Sequence, residues 1–511
     1  MRLGIDLGTT RTLVAASDRG NYPVLAFIGT GGDAFEYVPT VTAEKDGVLV
    51  HGFEAQEAAL EGAPQLRSWK RLLARHGPEH LVQVGAIEVT MLALATDFLR
   101  ALRVAILERS NLPGSAATAA LEAVVSVPAN AHSSQRWATL EAFRRAGFEV
   151  LRMVNEPSAA GIEFAHRHRS TLNSRRENVA VYDLGGGTFD AALVCMSGTR
   201  HDVVSTAGVQ ELGGDDFDRV LLEMALEKAG NSMAIHPSVH DALLAECRSV
   251  KEGIGASTRR VTVDLSALGT GAPEEPVSLQ VGDYYERLRP WIEQSLEALA
   301  GVLGAETHSS RDLEHAASEA GVAGLYVVGG ATALPLVARH LRERFGRRVH
   351  RSPHPAGAIA MGLAIEADSD NSVAICERFT RHLGVFREAE SGQSKVFDRI
   401  FASGTPMPVG GEAPLVATRT YRAAHNVGQL RFVECAGLSD RDEPTGDITP
   451  HGTIQFPYAR AARGSPMDTL TVSRLDAEGP RIEERYEVDA AGVVAVTIRD
   501  LDDGFNQRFT L

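Results

Sequence analysis

The spacing of apolar and polar residues divides the chain into two regions with different patterns. From residue 3 to about residue 366, short apolar runs alternate with longer stretches in which apolar residues recur every three to four positions. Such runs predict buried strands, and such stretches predict amphipathic helices. After the polar break at residues 368–371, short alternating runs appear between turn residues, which predicts antiparallel strands. The pattern therefore predicts an α/β region followed by an all-β region.

In the first region the pattern predicts strands and helices in alternation. The predicted strands are residues 3–7, 13–16, 38–41, 48–50, 124–129, 150–154, 179–182, 260–265 and 325–328. The predicted helices are residues 54–60, 89–107, 241–254, 285–303 and 356–366, with a further helix that Ser133 or Ser134 caps and that ends before Gly147.

In the second region the alternating runs are short and lie between turn residues. They fall at residues 418–421, 430–434, 453–456 and 469–474, followed by a hairpin at 486–498 and a last strand that ends at Leu511. About 140 residues of this kind are a normal size for one antiparallel β-sandwich.

Composition and charge narrow the classes of function. The chain has 511 residues, of which 44% are hydrophobic and 23% are charged, and its net charge is −15. This negative charge argues against non-specific nucleic-acid binding, which requires clustered cations. The four cysteines lie far apart and form no CxxC motif, which is typical of free thiols in a reducing compartment. With no signal peptide and no membrane-spanning run recognised, we expect a cytoplasmic protein without membrane partners.

The candidate chemistry centres on residues 180–190. An apolar strand ends at Asp183, three glycines follow as Gly185, Gly186 and Gly187, and Thr188 adds a hydroxyl group. A glycine turn can point successive N–H groups at an anion. A carboxylate before such a turn would repel phosphate unless a cation lies between them, and Mg²⁺ prefers these oxygen ligands. The stretch predicts a polyphosphate–metal site; the alternative is a β-hairpin with a glycine-rich turn.

A second stretch near the N-terminus repeats this pattern. There an apolar strand leads to Asp6, and Gly8, Thr9 and Thr10 follow. Two such stretches indicate a duplicated domain in which each half supplies one phosphate-binding turn. The site is then expected in a cleft between the two halves.

Three other positions have both a chemical and a structural interpretation. Lys70 is a cation beside apolar residues and could equally lie on a solvated helix face or loop. Glu156 lies at the junction between a predicted strand and a predicted helix, a position typical of a ligand-binding residue and also of a carboxylate that caps the helix. Gly329 and Gly330 follow a strand, where the backbone could approach a base or sugar, or simply pack closely.

Taken together, these residues resemble the heat-shock protein 70 (DnaK-like) chaperone family. The chain is similar to a divergent, bacterial-type member, and the resemblance extends from residue 3 to the end of the sequence, although it is weaker in the β region. The matching motifs, all in family order, are residues 4–10, 70–72, 127–129, 155–160, 182–190, 212–218 and 327–330.

The resemblance implies a fold and a domain organisation. It implies an actin-like (ribonuclease H-like, duplicated) ATPase domain at residues 1–368, with halves at about 1–168 and 178–368. It further implies an interdomain linker at 369–378 and an all-β, substrate-binding sandwich at 379–511. The family's C-terminal helical lid is expected to be missing, because the sequence ends just after the sandwich, and clients should then exchange quickly.

The resemblance also implies roles for the candidate residues. Lys70, Glu156, Asp183 and Thr188 would be catalytic. Asp6, Asp183 and Asp190 would serve Mg²⁺, with K⁺ as a further candidate ion. The ATP or ADP would be bound by Gly8, Thr9, Thr10, Gly185, Gly186, Gly187, Thr188, Lys251, Gly329 and Gly330.

Several positions depart from the family pattern. Ala333 replaces an arginine that stacks on adenine, Glu252 replaces a cation beside Lys251, and Gly255 replaces a serine. These changes predict looser adenine binding or tolerance of another base. The linker at residues 373–377 is less leucine-rich than the family's, and the peptide-binding loops, expected near residues 396–401 and 418–430, match poorly.

The predicted function is an ATP-dependent chaperone that binds unfolded polypeptides, while slow ATP hydrolysis gates the β domain. A J-domain co-chaperone and a nucleotide exchange factor are further candidate partners; nucleic acid is not. The alternative is a nucleotide-gated, partner-specific scaffold or co-chaperone with little turnover. A small-molecule kinase on the same fold is a weaker alternative, because it leaves Lys70 and the β-sandwich unexplained.

Overall fold

The computed structural model describes residues 2–112, 121–168, 172, 176–198, 200–230, 235–304, 313–370, 374–464 and 466–511. The chain forms two compact units. The first unit is made of Met1–Ala129 and Thr139–Ile375, and the second of Asn130–Ala138 and Cys376–Leu511.

The first unit mixes strands and helices. Its strands, together with one at its junction with the second unit, are β1 (Arg2–Leu7), β2 (Arg11–Ala16), β3 (Phe27–Ile28), β4 (Ala34–Phe35), β5 (Val38–Pro39), β6 (Val41–Lys45), β7 (Val48–His51), β8 (Gln65–Arg67), β9 (Leu81–Val84), β10 (Ile87–Thr90), β11 (Leu121–Val127), β12 (Phe148–Asn155), β13 (Asn178–Leu184), β14 (Phe189–Ser197), β15 (Arg200–Val209), β16 (Arg260–Val263), β17 (Val277–Gln280), β18 (Val322–Val328), β19 (Val349–Arg351) and β20 (Ala374–Cys376). The helices are α1 (Phe53–Leu60), α2 (Trp69–His76), α3 (Met91–Glu108), α4 (Ser133–Arg145), α5 (Glu156–Arg167), α6 (Gly214–Lys228), α7 (Pro237–Glu252), α8 (Val281–Val302), α9 (Leu313–Glu319), α10 (Pro335–Phe345) and α11 (Ala358–Ala367). The first part of α4, up to Ala138, belongs to the second unit.

Two central sheets of the first unit share one topology. The first has the strand order β12-β11-β1-β2-β5, and the second has the order β19-β18-β13-β14-β15-β20. In the first sheet, β1 pairs antiparallel with β2 on one side and parallel with β11 on the other, and β11 pairs parallel with β12. In the second sheet, β13 pairs antiparallel with β14 on one side and parallel with β18 on the other, and β18 pairs parallel with β19. The first unit therefore contains the same strand arrangement twice.

Helices α5 and α11 form a common core with both sheets. Apolar side chains from β11 and β12 of the first sheet and from β13, β14 and β18 of the second belong to one buried cluster with these helices. The approach is close because glycines lie at the contacts: a methyl group at Gly362 would lie 1.8 Å from Ala159 O, and one at Gly4 would lie 2.2 Å from Ala364 N. A second cluster packs α6, α7, α8, α9 and α10 against the other face of the second sheet. Strands covered on both faces read as continuous apolar runs, as the sequence shows.

The second unit is built from antiparallel strands. Those that follow β20 are β21 (His382–Ala389), β22 (Ser394–Phe401), β23 (Leu415–Arg422), β24 (Val427–Leu438), β25 (Pro444–Pro457), β26 (Arg481–Val488), β27 (Val494–Asp500) and β28 (Asn506–Thr510). They form two four-stranded sheets, β22-β21-β24-β25 and β23-β26-β27-β28. Apolar residues of both sheets share one buried core, as expected for strands that alternate between a core face and an outer face.

The predicted succession of an α/β part and a β-rich part is confirmed. Among the details, the helix predicted from residue 89 begins at Met91, because residues 89 and 90 belong to β10 and Thr90 caps the helix through Ala93 N at 3.2 Å. The prediction that Ser133 or Ser134 caps α4 is wrong. The helix begins at Ser133, and His132 Nδ1 accepts the hydrogen bond from Gln135 N at 3.2 Å.

The predicted strand at residues 469–474 is also wrong. The segment starts in a 3₁₀ turn, Met467–Thr469, and its β-pairing is limited to an isolated bridge between Arg474 and His425. The Asn426 side chain also donates to Thr471 O and accepts from Ser473 N. The domain boundaries given above stay predictions, and residues 371–373 of the predicted linker lie outside the described residues. Among the described residues, none of the helices combines the length and the apolar composition that a membrane span requires.

Candidate functional site

The two predicted phosphate-binding turns occupy equivalent places in the two central sheets. Residues 8–10 connect β1 to β2, and residues 185–188 connect β13 to β14. The turns lie against each other: a methyl group at Gly186 would lie 2.5 Å from Thr10 Oγ1, and one at Gly187 would lie 2.6 Å from Thr9 Cγ2. Only glycine permits this approach, so the structure brings both turns to one place.

Three carboxylates lie behind these turns. Asp6 is near the end of β1, and its Oδ1 accepts a hydrogen bond from Ser126 Oγ at 2.8 Å. Asp183 is near the end of β13 and pairs in register with Asp190 of β14. All three carboxylates are buried. Within the described part of the chain, Asp183 Oδ1 has no hydrogen-bond partner.

Lys70 and Glu156 form a buried ion pair beside these carboxylates. Lys70 lies in the first turn of α2, and Glu156 is the first residue of α5, directly after β12. Lys70 Nζ donates to Glu156 Oε1 at 2.7 Å and to Leu7 O at 2.5 Å. Lys70 is only 5% exposed, so the interpretation of this residue as part of a solvated helix face or loop is wrong.

The ionisation of the cluster reflects burial and an excess of negative charge. Burial, followed by the charge of Glu156, raises the pKa of Asp6 to about 7 and the pKa of Asp190 to about 7. The same two causes raise the pKa of Asp183 well above its usual range. Burial works to lower the pKa of Lys70, but Glu156 and Asp6 outweigh it, so the net pKa is raised and the amine stays charged.

A divalent cation fits this cluster if it keeps its water. Four buried carboxylates surround one lysine, so a cation would relieve their mutual repulsion. Among the described residues, however, no three acidic, histidine or cysteine side chains come together as a direct ligand set. Mg²⁺ commonly binds through one or two carboxylates while several waters complete its shell. Asp183 Oδ1, which is buried without a hydrogen-bond partner among the described residues, is a suitable oxygen for such a cation or for one of its waters.

A third glycine turn follows β18 and borders the same site. Gly329 has φ +90, and a methyl group there would lie 2.3 Å from Leu184 O and 2.5 Å from Asp183 Oδ1. The 3₁₀ turn Gly330–Ala333 comes next. Lys251, near the end of α7, is buried, and its Nζ lies 2.6 Å from both Asp218 Oδ1 and Gly214 O.

A cleft of about 340 Å³ connects these parts. Its lining includes most of the predicted site residues, namely Asp6, Gly8, Thr9, Thr10, Lys70, Glu156, Asp183, Gly185, Gly186, Thr188, Lys251, Gly329 and Gly330. Gly187 and Asp190 do not line the cleft: Gly187 lies against the Thr9 side chain, and Asp190 is buried and hydrogen-bonded to Thr188.

The sequence did not reveal several ion pairs at this cleft. Arg71 Nη2 contacts Asp216 Oδ2 at 2.7 Å and also donates to Gly187 O, so it ties α2 to the second phosphate-binding turn. Arg248 contacts Asp215 and Asp218, two acids within the first five residues of α6. The only sequence signal was the cluster of acids after a glycine pair at 213–214, which indicates a turn and a helix start but names no partner.

Comparison with known proteins identifies the family. The family model described as Hsp70 protein matches residues 110–373, slightly more than half of the chain. The chain belongs to the Hsp70 family. Members of the Hsp70 family are ATP-dependent chaperones that hydrolyse ATP and bind unfolded polypeptides. The predicted family is therefore confirmed and, at the level of the family, so are the predicted chaperone function and ATPase activity.

Individual relatives are chaperones of the same family. Chaperone protein HscA of Escherichia coli O17:K52:H18 is 29% identical over 532 residues, which cover 98% of this chain and 76% of the relative. Chaperone protein HscA of Enterobacter sp. (strain 638) is 29% identical over 99% of this chain and 77% of the relative. The HscA homolog of Colwellia psychrerythraea is 29% identical over 71% of this chain, and the match spans 58% of that relative's length.

Proposed function

We propose that the chain hydrolyses MgATP in the cleft of the first unit and uses the nucleotide state to control polypeptide binding by the β-rich unit. The observation that carries this proposal is the convergence of two glycine turns, buried carboxylates and the Lys70–Glu156 pair on one cleft. Phosphoryl transfer depends on positioning and on charge stabilisation more than on a strong base, and these groups suit both tasks.

The proposed fold of residues 1–368 is the actin-like, duplicated ATPase fold, with halves at about 1–168 and 178–368. The repeated strand arrangement of the two central sheets supports this proposal. The common core around α5 and α11 supports it further, since it joins the two sheets on the side opposite the outer helices.

In the proposed mechanism the turns bind the phosphates. Gly8 N and Gly185 N close their own turns by donating to Asp6 O and Thr188 O at 3.0 Å each. Backbone N–H groups of residues 9, 10, 186 and 187, with the hydroxyls of Thr9, Thr10 and Thr188, would donate to phosphate oxygens. Asp6 and Asp183 would hold Mg²⁺ through its water, and Asp190 would add negative charge from behind; K⁺ is a second candidate ion there. When bound, Mg²⁺ neutralises phosphate charge.

Lys70 and Glu156 would act on the attacking water and the developing charge. Because Lys70 stays protonated, it cannot serve as a base; it would stabilise negative charge on the transferred phosphoryl group. Glu156 holds the Lys70 amine at 2.7 Å and would orient the water through its second carboxylate oxygen. Asp183 and Thr188 would complete the catalytic set beside them.

The adenosine would extend from the turns towards Gly329, Gly330 and Lys251. Both glycines line the cleft, where the backbone can lie close to a planar group. Lys251 is held by Asp218 and Gly214 O, so its position is already organised.

In this proposal, residues 379–511 of the β-rich unit form a sandwich that binds polypeptides. Residues 369–378 form the linker that precedes it. The candidate loop regions near 396–401 and 418–430 fall in β22 and around the β23–β24 connection. A J-domain co-chaperone and a nucleotide exchange factor are the proposed partners. The four cysteines are free thiols, which supports the proposed cytoplasmic location.

Single-turnover hydrolysis of ATP, with and without an unfolded peptide, tests the proposal. We expect slow hydrolysis that the peptide accelerates, and we expect Lys70→Ala to lower the rate at least about a hundredfold, since it removes a preorganised cation. Lys45→Ala is the matched control, because Lys45 makes an exposed ion pair with Glu61. ATP that binds without turnover, or turnover that ignores the peptide, would favour the partner-specific scaffold instead.

A further inference from the structure

One ion pair joins two segments that line the candidate cleft. Arg11 opens β2, directly after the first phosphate-binding turn, and Glu252 ends α7, directly after Lys251. Arg11 Nη2 lies 2.8 Å from both carboxylate oxygens of Glu252. Both residues line the cleft, together with Ala331 and Ala333.

Arg11 differs from the other cations that line the cleft. Lys70 and Lys251 are buried, and Arg248 is held between two aspartates. The Arg11 side chain is 33% exposed, and its guanidinium carbon lies 4.5 Å from the centre of the Tyr37 ring. Arg11 lines the cleft, whereas Tyr37 does not, so the guanidinium has a contact with the tyrosine outside the cleft lining.

We propose that Arg11 contacts the nucleobase of the bound nucleotide and that Glu252 positions it there. This inference rests on the proposed function, because it needs a nucleotide whose phosphates lie at the two turns. From those turns the nucleoside extends towards α7 and the 3₁₀ turn at residues 330–333. At that end Ala331 and Ala333 offer only methyl groups, while a planar, weakly hydrated guanidinium can stack on an aromatic base.

Glu252 has a positioning role in this arrangement. Its carboxylate accepts two hydrogen bonds from Arg11, and the Tyr37 ring gives the guanidinium a second contact. A side chain held by two partners loses less conformational freedom when a base stacks on it. Glu252→Gln should therefore weaken nucleotide binding less than removal of Arg11 itself.

The test is to titrate MgATP and Mg-tripolyphosphate, which has no base, into the full-length protein by calorimetry. We expect Arg11→Ala to weaken MgATP binding about tenfold and to leave tripolyphosphate binding unchanged. We expect Arg11→Lys to lose most of the same affinity, because lysine keeps the charge but not the planar group. Arg287→Ala, which removes an exposed pair with Glu227 outside the cleft, is the matched control and should change neither titration.

Three results would overturn the inference. Equal loss of both ligands in Arg11→Ala would mean that Arg11 acts on the phosphates or on the shape of the cleft. Full MgATP affinity in Arg11→Ala or in Arg11→Lys would exclude base stacking, and Arg11→Lys covers the case in which the alanine variant misfolds. If the unchanged protein bound neither ligand, the proposed function itself would be wrong, and the inference with it. If the unchanged protein binds both ligands and the Arg11 variants bind MgATP equally well, the inference about Arg11 is wrong while the proposed nucleotide site stands.

Discussion

His51, at the end of β7, is a residue whose ionisation is set by burial. Its Nδ1 lies 2.9 Å from Thr42 Oγ1, and burial lowers its pKa to about 4 even though Asp97 and Glu54 work to raise it. The folded state therefore takes up its proton at lower pH than the unfolded state does. The stability that this creates is complete above about pH 6.5 and is lost as the pH falls from there towards 4.

We predict that the first unit loses up to about 3 kcal/mol of stability between pH 7 and pH 4 through His51. His51→Gln cannot titrate but can still bond to Thr42, so it should flatten that part of the profile. Thermal unfolding measured from pH 4 to pH 8 compares the two proteins. Profiles that run parallel would contradict the prediction.

Glu484, in β26 of the second unit, is a fully buried acid within a polar network. It contacts Arg387 Nη2 at 2.6 Å and accepts from the hydroxyls of Tyr421 and Tyr486, at 2.5 Å each. Glu484→Gln would remove one of the two carboxylates that pair with the partly buried Arg387, the other being Asp398. We predict a loss of about 3 kcal/mol in unfolding free energy. Glu483→Gln, on the other face of the same strand, is the control and should stay within about 0.5 kcal/mol; equal losses in both would contradict a specific role for the buried charge.

At the level of single residues, local sequence showed which side chains could carry charge but not their environment. Lys70 and Glu156 were both candidates, and each also had a structural interpretation that the sequence around it could not exclude. Their pairing depends on the packing of two helices whose first turns are 86 positions apart. The same packing raises the pKa of Asp6, which no local pattern reports.

At the level of elements, helix α11 shows how glycine permits close packing. Gly362 lies against the backbone of α5, and a methyl group there would lie 1.8 Å from Ala159 O. We predict that Gly362→Ala destabilises the first unit by about 1–3 kcal/mol, because the two backbones must separate. Chemical denaturation measures this change.

Gly301 of α8 is the matched control for this substitution. It is exposed near the end of its helix, and a methyl group there would meet nothing within 4 Å. Gly301→Ala should stabilise the unit by about 0.5–1 kcal/mol, since alanine has the higher helix propensity. Destabilisation by both substitutions to the same degree would contradict the packing argument.

Periodicity predicted most elements, and its failures have a common cause. The spacing of apolar residues predicted the long helix α3 and the hairpin within residues 486–498, and the structure contains both. It also predicted β1 and β13, the strands that precede the two phosphate-binding turns. Residues 469–474 have a strand-like pattern, but in the described part of the chain their β-pairing stops at one isolated bridge, between Arg474 and His425. A strand requires a partner in register, and partners are supplied by the fold rather than by the segment itself.

At the level of the whole molecule, nucleotide binding should raise the stability of the first unit, because all residues that line the candidate cleft belong to it. We predict that MgATP at a hundred times its dissociation constant raises the stability of this unit by about 2.7 kcal/mol. Removal of Mg²⁺ with EDTA should cancel most of the gain. Differential scanning calorimetry measures both effects.

The two substitutions above assign the transitions in that experiment. Gly362→Ala should lower the transition of the first unit, and Glu484→Gln should lower that of the second. The transition whose temperature Gly362→Ala lowers is that of the first unit. If MgATP does not raise the temperature of that transition, the first unit has no nucleotide site.

The sequence by itself determined the order of the α/β and β-rich parts, the two Asp–Leu–Gly turns and the membership in the Hsp70 family, because these depend on local spacing and on residue types in sequence. Only the tertiary structure decided which distant groups meet. It paired Lys70 with Glu156 and Arg11 with Glu252, the latter across 241 positions. The reason is physical: the energy of a buried charge depends on burial and on neighbours supplied by other segments, which only the packed fold brings within reach.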